Sequence, residues 1–157
     1  MLLVIFGAGA SFDSSSSFPA SSSPGLDERL PLAKDLFSDR PLFVEVRRKY
    51  PACHPIIPRL RKAGVGKAIE RELAAMQDEG KMSPDRLRQL AAIQYYLQEM
   101  LWRCEVRWND KAADITNYQA LIDQIFHLGK RQEPICLVTF NYDRMLEHAL
   151  PSFRAEN

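Results

Sequence analysis

Leu2-Leu3-Val4-Ile5-Phe6-Gly7-Ala8-Gly9-Ala10-Ser11 is the stretch whose reading decides the fold. An unbroken apolar run rich in strand formers stops abruptly at a glycine. A run of this kind predicts a strand buried on both faces, as in a parallel sheet flanked by helices. The turn after it carries minimal side chains. Gly7 and Gly9 have access to positive φ and let a ligand approach the backbone, and Ala8, Ala10 and Ser11 leave room for the same purpose. Where such a turn opens a helix, its backbone N–H groups favour a phosphate or pyrophosphate. A Gly-x-Gly is also a common tight turn. The dinucleotide fingerprint wants a third glycine or alanine at position 12, and this chain has Phe12 there.

A second stretch has the same plan: Ile135-Cys136-Leu137-Val138-Thr139-Phe140-Asn141-Tyr142-Asp143. Its apolar half predicts another buried strand, and a helix over Arg144 to Leu150 comes next, with Leu146 and Ala149 inward and Pro151 ending it. Taken singly, Asp143 reads as a helix N-cap and Asn141 as a turn residue. Taken together, two polar groups succeed this strand as the glycines succeed the first. If the strands are parallel neighbours, their carboxyl ends open into one crevice, where α/β sheets bind ligands. The glycine turn and the Asn141/Asp143 pair then face a shared site.

Between these stretches the chain changes character twice. Residues 12–30 hold two serine runs with Pro19, Pro24 and Gly25, and predict a mobile loop, either a lid over a ligand or a surface insertion. Pro31 opens a helical run through Phe37 with Leu32, Leu36 and Phe37 on one edge. From 41 to 129 the pattern is helical. Leu42, Phe43 and Val46 predict one short helix stopped near Pro51; Pro55 and Pro58 break the next segment, and Gly64 and Gly66 mark a turn. Lys67 to Asp78 is amphipathic through Ile69, Leu73 and Met76. Ser83-Pro84-Asp85 starts a long helix to about Trp108, its main stripe Leu87, Leu90, Leu97, Leu101 and Cys104, widened by Ile93, Tyr96 and Met100. A further helix near Tyr118–Leu128 buries Leu121, Ile122 and Ile125 and ends at Gly129. These stripes read as core, and His54 and His127 as surface or packing residues.

Composition narrows the classes. At 157 residues the chain reads as a single domain able to bury roughly 70% of its unfolded surface. A net charge of +1 argues against direct nucleic-acid binding, since little is available to neutralise phosphates. Cys53, Cys104 and Cys136 are widely spaced, which points to a reducing compartment, a cytoplasmic location and no zinc site or other metal. No stretch is long enough to span a bilayer, and the first strand lacks the basic leader of a signal peptide.

Three segments in order resemble a family: Gly7-Ala8-Gly9-Ala10-Ser11, Leu30-Pro31-Leu32-Ala33-Lys34-Asp35-Leu36-Phe37 and Thr139-Phe140-Asn141-Tyr142-Asp143. They are similar to the sirtuin-like NAD-hydrolase domains of bacterial antiphage defence proteins, with the region between them matching only as helices. The resemblance implies an α/β fold, a Rossmann-like parallel sheet with a large helical insertion between the first strand and the Asn-Tyr-Asp strand. It implies NAD as substrate or ligand, and cleavage of the nicotinamide–ribose bond to nicotinamide and ADP-ribose without metal. Gly7, Ala8, Gly9, Ala10 and Ser11 would cradle the pyrophosphate, Asn141 would hold the reacting ribose or the attacking water, and Asp143 would contact the nicotinamide end. The zinc-binding cysteine pairs of the protein-deacylating sirtuins are absent. The family also has a catalytic histidine in a Leu-His-Gly segment after the Asn-x-Asp motif, which places it beyond residue 157; His148 lies inside a predicted helix and matches no motif. Three readings result. The first is an NAD glycohydrolase completed by that histidine, with a sensor or effector domain or a second copy of the chain as partner. The second is a non-catalytic module that binds NAD or ADP-ribose. The third is a helical interaction domain in which the glycine turn is only a turn.

Overall fold

A computed structural model describes residues 1–12, 14, 29–64, 69–111, 116–128 and 134–150. It is a mostly helical α/β structure with a two-stranded parallel sheet whose strands are separated by a long helical stretch. The chain divides into two compact units, one made of Met1–Leu30 with Cys104–Asn157 and the other of Pro31–Arg103. Most of the serine-rich segment lies outside the described residues, as do Gly66, Lys67, Gly129 and Pro151.

In the first unit β1 (Leu2–Phe6) and β2 (Ile135–Thr139) pair in parallel, from Leu2 opposite Ile135 to Phe6 opposite Thr139. The Phe140 N–H donating to the Phe6 carbonyl at 3.1 Å extends the ladder one step, so both strands release their chains at the same end. The expectation of strands buried on both faces does not hold. Leu3 is 51% and Ile5 59% exposed, while Phe6 is buried. Two strands leave each other an open edge, and the alternation of side chains then buries one face and leaves the other uncovered. α1 (Ala8–Phe12) succeeds β1 at once, and α7 (Met145–Ala149) succeeds β2 after the Asn-Tyr-Asp turn. α6 (Asn117–Leu128) buries Tyr118, Ile122 and Ile125 and packs against α7. Its start is a capping box. The Gln119 N–H donates to Thr116 Oγ1 at 3.2 Å, and the Thr116 N–H donates back to Gln119 Oε1 at 2.8 Å.

The second unit is helical. α2 (Pro41–Lys49) starts on a proline, where the missing N–H costs nothing, and ends in Arg47, Arg48 and Lys49, which suit a helix C-terminus. A 3-10 segment over Pro51–Ile56 absorbs Pro55, and α3 (Ile57–Gly64) carries Pro58 in its first turn, so Pro58 begins a helix where a break was expected. The helical run expected after Pro31 shrinks to one 3-10 turn, Ala33–Asp35, and of its apolar edge only Phe37 is fully buried. α4 (Ile69–Gly80) faces inward through Ile69 and Met76.

α5 (Pro84–Lys111) runs from the second unit into residues of the first. Its buried row is Ile93, Tyr96, Met100, Cys104 and Trp108, displaced from the leucines expected to lead it, since Leu87 is half exposed. The bulkier Tyr, Met and Trp side chains remove more surface from water than leucine does, so they set which way the helix faces. Phe37 stacks on Tyr96 at 6.0 Å between ring centres, and the buried Tyr96 hydroxyl donates to the Leu36 carbonyl at 2.8 Å. The buried Arg47 is satisfied by the Phe37 carbonyl at 3.0 Å and Asp39 Oδ1 at 2.6 Å. Among the described residues no helix is long and apolar enough to cross a membrane.

Candidate functional site

Parallel pairing brings the turn after β1 and the turn after β2 side by side, and Asn141 joins them. Its Nδ2 donates to the Gly7 carbonyl at 3.1 Å, to Ser11 Oγ at 2.8 Å and towards the Tyr118 hydroxyl at 3.2 Å. Ser11 and Tyr118 are themselves 2.9 Å apart. A carbonyl can only accept, so Gly7 fixes the amide with its nitrogen towards the glycine turn. Asn141 Oδ1 is left shut from solvent, with no donor against it. The Asn141 backbone is set locally, because its N–H donates to Thr139 Oγ1 at 3.1 Å in the last residue of β2.

Asp143 does two things. Its Oδ1 accepts the Met145 N–H at 3.1 Å and so caps α7, the role its position suggested. Its carboxyl also lies close enough to the cluster to be acted on by the Ser11 hydroxyl. Burial raises its pKa above the usual carboxylate value; the Ser11 hydroxyl opposes that rise and the negative charge of Glu105 adds to it. Tyr118 is raised as well, first by burial, and keeps its proton over the physiological range. Asn141 donates to Gly7 and Ser11, while either hydroxyl of the Ser11–Tyr118 pair can be the donor.

A side chain added at Gly7 or Gly9 would meet nothing within 4 Å, and neither residue sits in the left-handed region. Packing and backbone strain therefore do not demand glycine at either place. Gly7, Ala8 and Gly9 are exposed and Ala10 half-buried, while Ser11 is turned inward with its hydroxyl in the cluster. Ala8 and Gly9 open α1, where first-turn N–H groups find no partner inside the helix. The Ala10 N–H is engaged with the Gly7 carbonyl at 2.8 Å. Beside this turn lies a cavity of about 310 Å³ lined by Phe6, Gly9, Ala10, Asn117, Tyr118 and Leu121.

Two participants were not expected from the sequence. Tyr118 marks only the start of a helix in the sequence reading, yet a tyrosine on a core face needs a partner for its hydroxyl, and that was the available signal. Glu105 is 3% exposed on α5. Its carboxylate accepts the Arg144 backbone N–H at 3.1 Å and the Arg144 Nε at 3.3 Å, and pairs with His148 Nε2 at 2.8 Å. An acid next to Cys104 on the buried side of a long helix was its signal. His148 is thus turned to Glu105. Among the described residues no group of His, Cys, Asp and Glu is placed to hold a metal ion. The chain matches no protein-family model, no curated protein and no solved structure, so what this site does is argued from its own geometry.

Proposed function

We propose that the first unit is a Rossmann-like NAD site of the sirtuin-like kind, and that its chemistry is hydrolysis of the nicotinamide–ribose bond to nicotinamide and ADP-ribose. The observation that carries this reading is the Asn141 amide lying 2.8 Å from Ser11 Oγ and 3.1 Å from the Gly7 carbonyl, which joins the two polar turns at the carboxyl ends of parallel strands. Glycines that the fold does not require, at a helix start beside those groups, suit a pyrophosphate resting on the backbone.

The chemistry needs little more than position and charge. Nicotinamide leaves as a neutral molecule, so the sugar passes through an oxocarbenium-like state as water attacks its anomeric carbon. A carboxylate near that carbon stabilises the developing positive charge. Asp143, whose burial makes its carboxylate a stronger base than usual, suits that role and acceptance of the water proton. Asn141 would exchange one protein acceptor for the ribose or the water, and a ligand hydroxyl would satisfy its Oδ1 after a small rotation of the amide.

The test is calorimetric titration with NAD and ADP-ribose, combined with an assay for released nicotinamide. Binding that disappears in Asn141→Ala supports the site; an unchanged titration in that variant removes it. A second reading, a module that binds NAD or ADP-ribose without cleaving it, is favoured by His148, whose ring is engaged by Glu105. Binding without nicotinamide release selects that reading.

A further inference from the structure

We propose that a cavity of the helical unit, between the C-terminal half of α2 and the first turns of α3, binds a small phosphate monoester. Arg47, Arg48 and Arg61 hold its phosphoryl group, and Val44, Ile57 and Pro58 receive the apolar body attached to it. The inference goes beyond the NAD reading and does not depend on it. The cavity holds about 330 Å³, at the lower end of the roughly 300–1,000 Å³ range of small-ligand sites, so it has room for a phosphoryl group and a body of one ring. Its lining has three arginines and no carboxylate. The counter-charge beside it is Asp39, whose Oδ1 accepts from Arg47 Nη2 at 2.6 Å and also from Arg61 Nη2. Three cations against this one carboxylate leave two positive charges, the complement of a phosphate monoester that is close to a dianion at neutral pH.

The guanidinium groups are positioned before an anion arrives. The Phe37 carbonyl accepts from Arg47 Nη1 at 3.0 Å and from Arg61 Nε at 2.7 Å, so one backbone oxygen orients both. These bonds leave Arg47 Nε and Arg61 Nη1 without a partner among the described residues, and Arg48 has none there at all. Planar guanidinium forks match the oxygens of a phosphoryl group better than a point charge does. Arg47 is 7% exposed, whereas the Asp39 side chain that neutralises it is 66% exposed and shared with Arg61, so the buried charge is only partly balanced. Asp39 is itself held below the usual carboxylate value, first by Arg61 and then by Arg47, which reports a positive field beside the cavity. Arg48, His54, Pro58 and Arg61 are exposed, so the cavity is open to a ligand. The His54 ring is pinned at its wall, since Nε2 lies 3.1 Å from the Arg47 carbonyl and must donate to it. Val44, Ile57 and Pro58 offer the cavity no polar side-chain group, which suits an esterified phosphate better than the free ion.

The test is calorimetric titration of phenyl phosphate, inorganic phosphate and phenol into the wild type, Arg48→Ala and Arg48→Glu. Phenyl phosphate binds the wild type about fivefold or more tighter than inorganic phosphate, the gain from burying part of one ring, and phenol alone shows no binding. Arg48→Ala weakens phenyl phosphate about tenfold, the loss of one charge-assisted hydrogen bond, and Arg48→Glu abolishes binding. Arg48 is exposed and bonded to nothing described, so both variants keep the fold, which circular dichroism verifies. A phosphate group also suits the glycine turn of the first unit, and the Arg48 variants decide which site the ligand occupies. Affinity unchanged in Arg48→Glu overturns the proposal, as does phenol binding as tightly as phenyl phosphate, or inorganic phosphate doing so. A second measurement needs no variant: phenyl phosphate affinity for the wild type falls as sodium chloride is added, because chloride competes and screens. Affinity that ignores salt, or no binding of phenyl phosphate to the folded wild type, overturns the site as well.

Discussion

The two units treat their buried polar groups differently. In the helical unit the core is apolar: Phe43, Val46, Leu60 and Met76 are fully buried, and the buried charge of Arg47 meets both Asp39 and a backbone carbonyl. Among its described residues the Ser38 hydroxyl is the one buried side-chain group left without a partner. In the sheet-bearing unit Asn141 Oδ1, Ser14 Oγ and Trp108 Nε1 are all shut from solvent without one, and the carboxylates of Asp143 and Glu105 are drawn inward. Unsatisfied buried polar atoms lower stability where they sit, and they gather where a protein needs chemistry. The contrast fits the proposal that the sheet-bearing unit holds the site.

That contrast can be broken from either side. The largest expected effect is in the helical unit: Phe43→Ala removes a fully buried ring and costs about 3–5 kcal/mol in denaturant unfolding. Next comes Glu105→Ala, which strips the Arg144 N–H and His148 of their acceptor. Both side chains are half exposed and can rehydrate, so the loss is nearer ~2 kcal/mol than a fully buried pair would give. Asn141→Ala sharpens the distinction, with a stability change of at most about 1 kcal/mol beside complete loss of nucleotide binding. A large loss of stability in that variant would make Asn141 a structural brace and nothing more.

The smaller effects are conditional. Burial raises the Asp143 pKa, so its protonated form is the one the fold favours. Its contribution to stability is fully present below the ordinary carboxylate value and is lost as pH rises through the raised one. Asp143→Asn is therefore expected to gain stability relative to the wild type as pH rises from that ordinary value towards neutrality, measured as melting temperature against pH; parallel curves would refute it. Smallest is Ser14→Ala. The hydroxyl is buried without a partner, so its removal is expected to be neutral or stabilising by up to about 1 kcal/mol in denaturant unfolding.

The legible parts of the molecule were those where a local rule meets no competitor. The apolar runs ending at Gly7 and Asn141 became the two strands, and Ser83-Pro84-Asp85 began the long helix, because strand propensity and helix caps act over a few residues. Leu87 and Ile5 misled for one shared reason: hydrophobicity says that a side chain would gain from burial, and only the neighbours decide whether a surface is there to cover it. Tyr118 and Glu105 carried only a faint signal as site residues because each sits among apolar neighbours on a helix, where periodicity assigns a face and not a partner.

By itself the amino-acid order determined that two short strands each end in a turn of unusual residues, and that helices lie between them. Backbone preferences and side-chain periodicity act within a few residues and are written along the chain. The tertiary structure alone decided that the strands pair in parallel, and that Asn141 reaches Gly7 and Ser11 across more than a hundred residues of sequence. Pairing over such a separation depends on which surfaces the intervening helices leave available, and no local pattern encodes that.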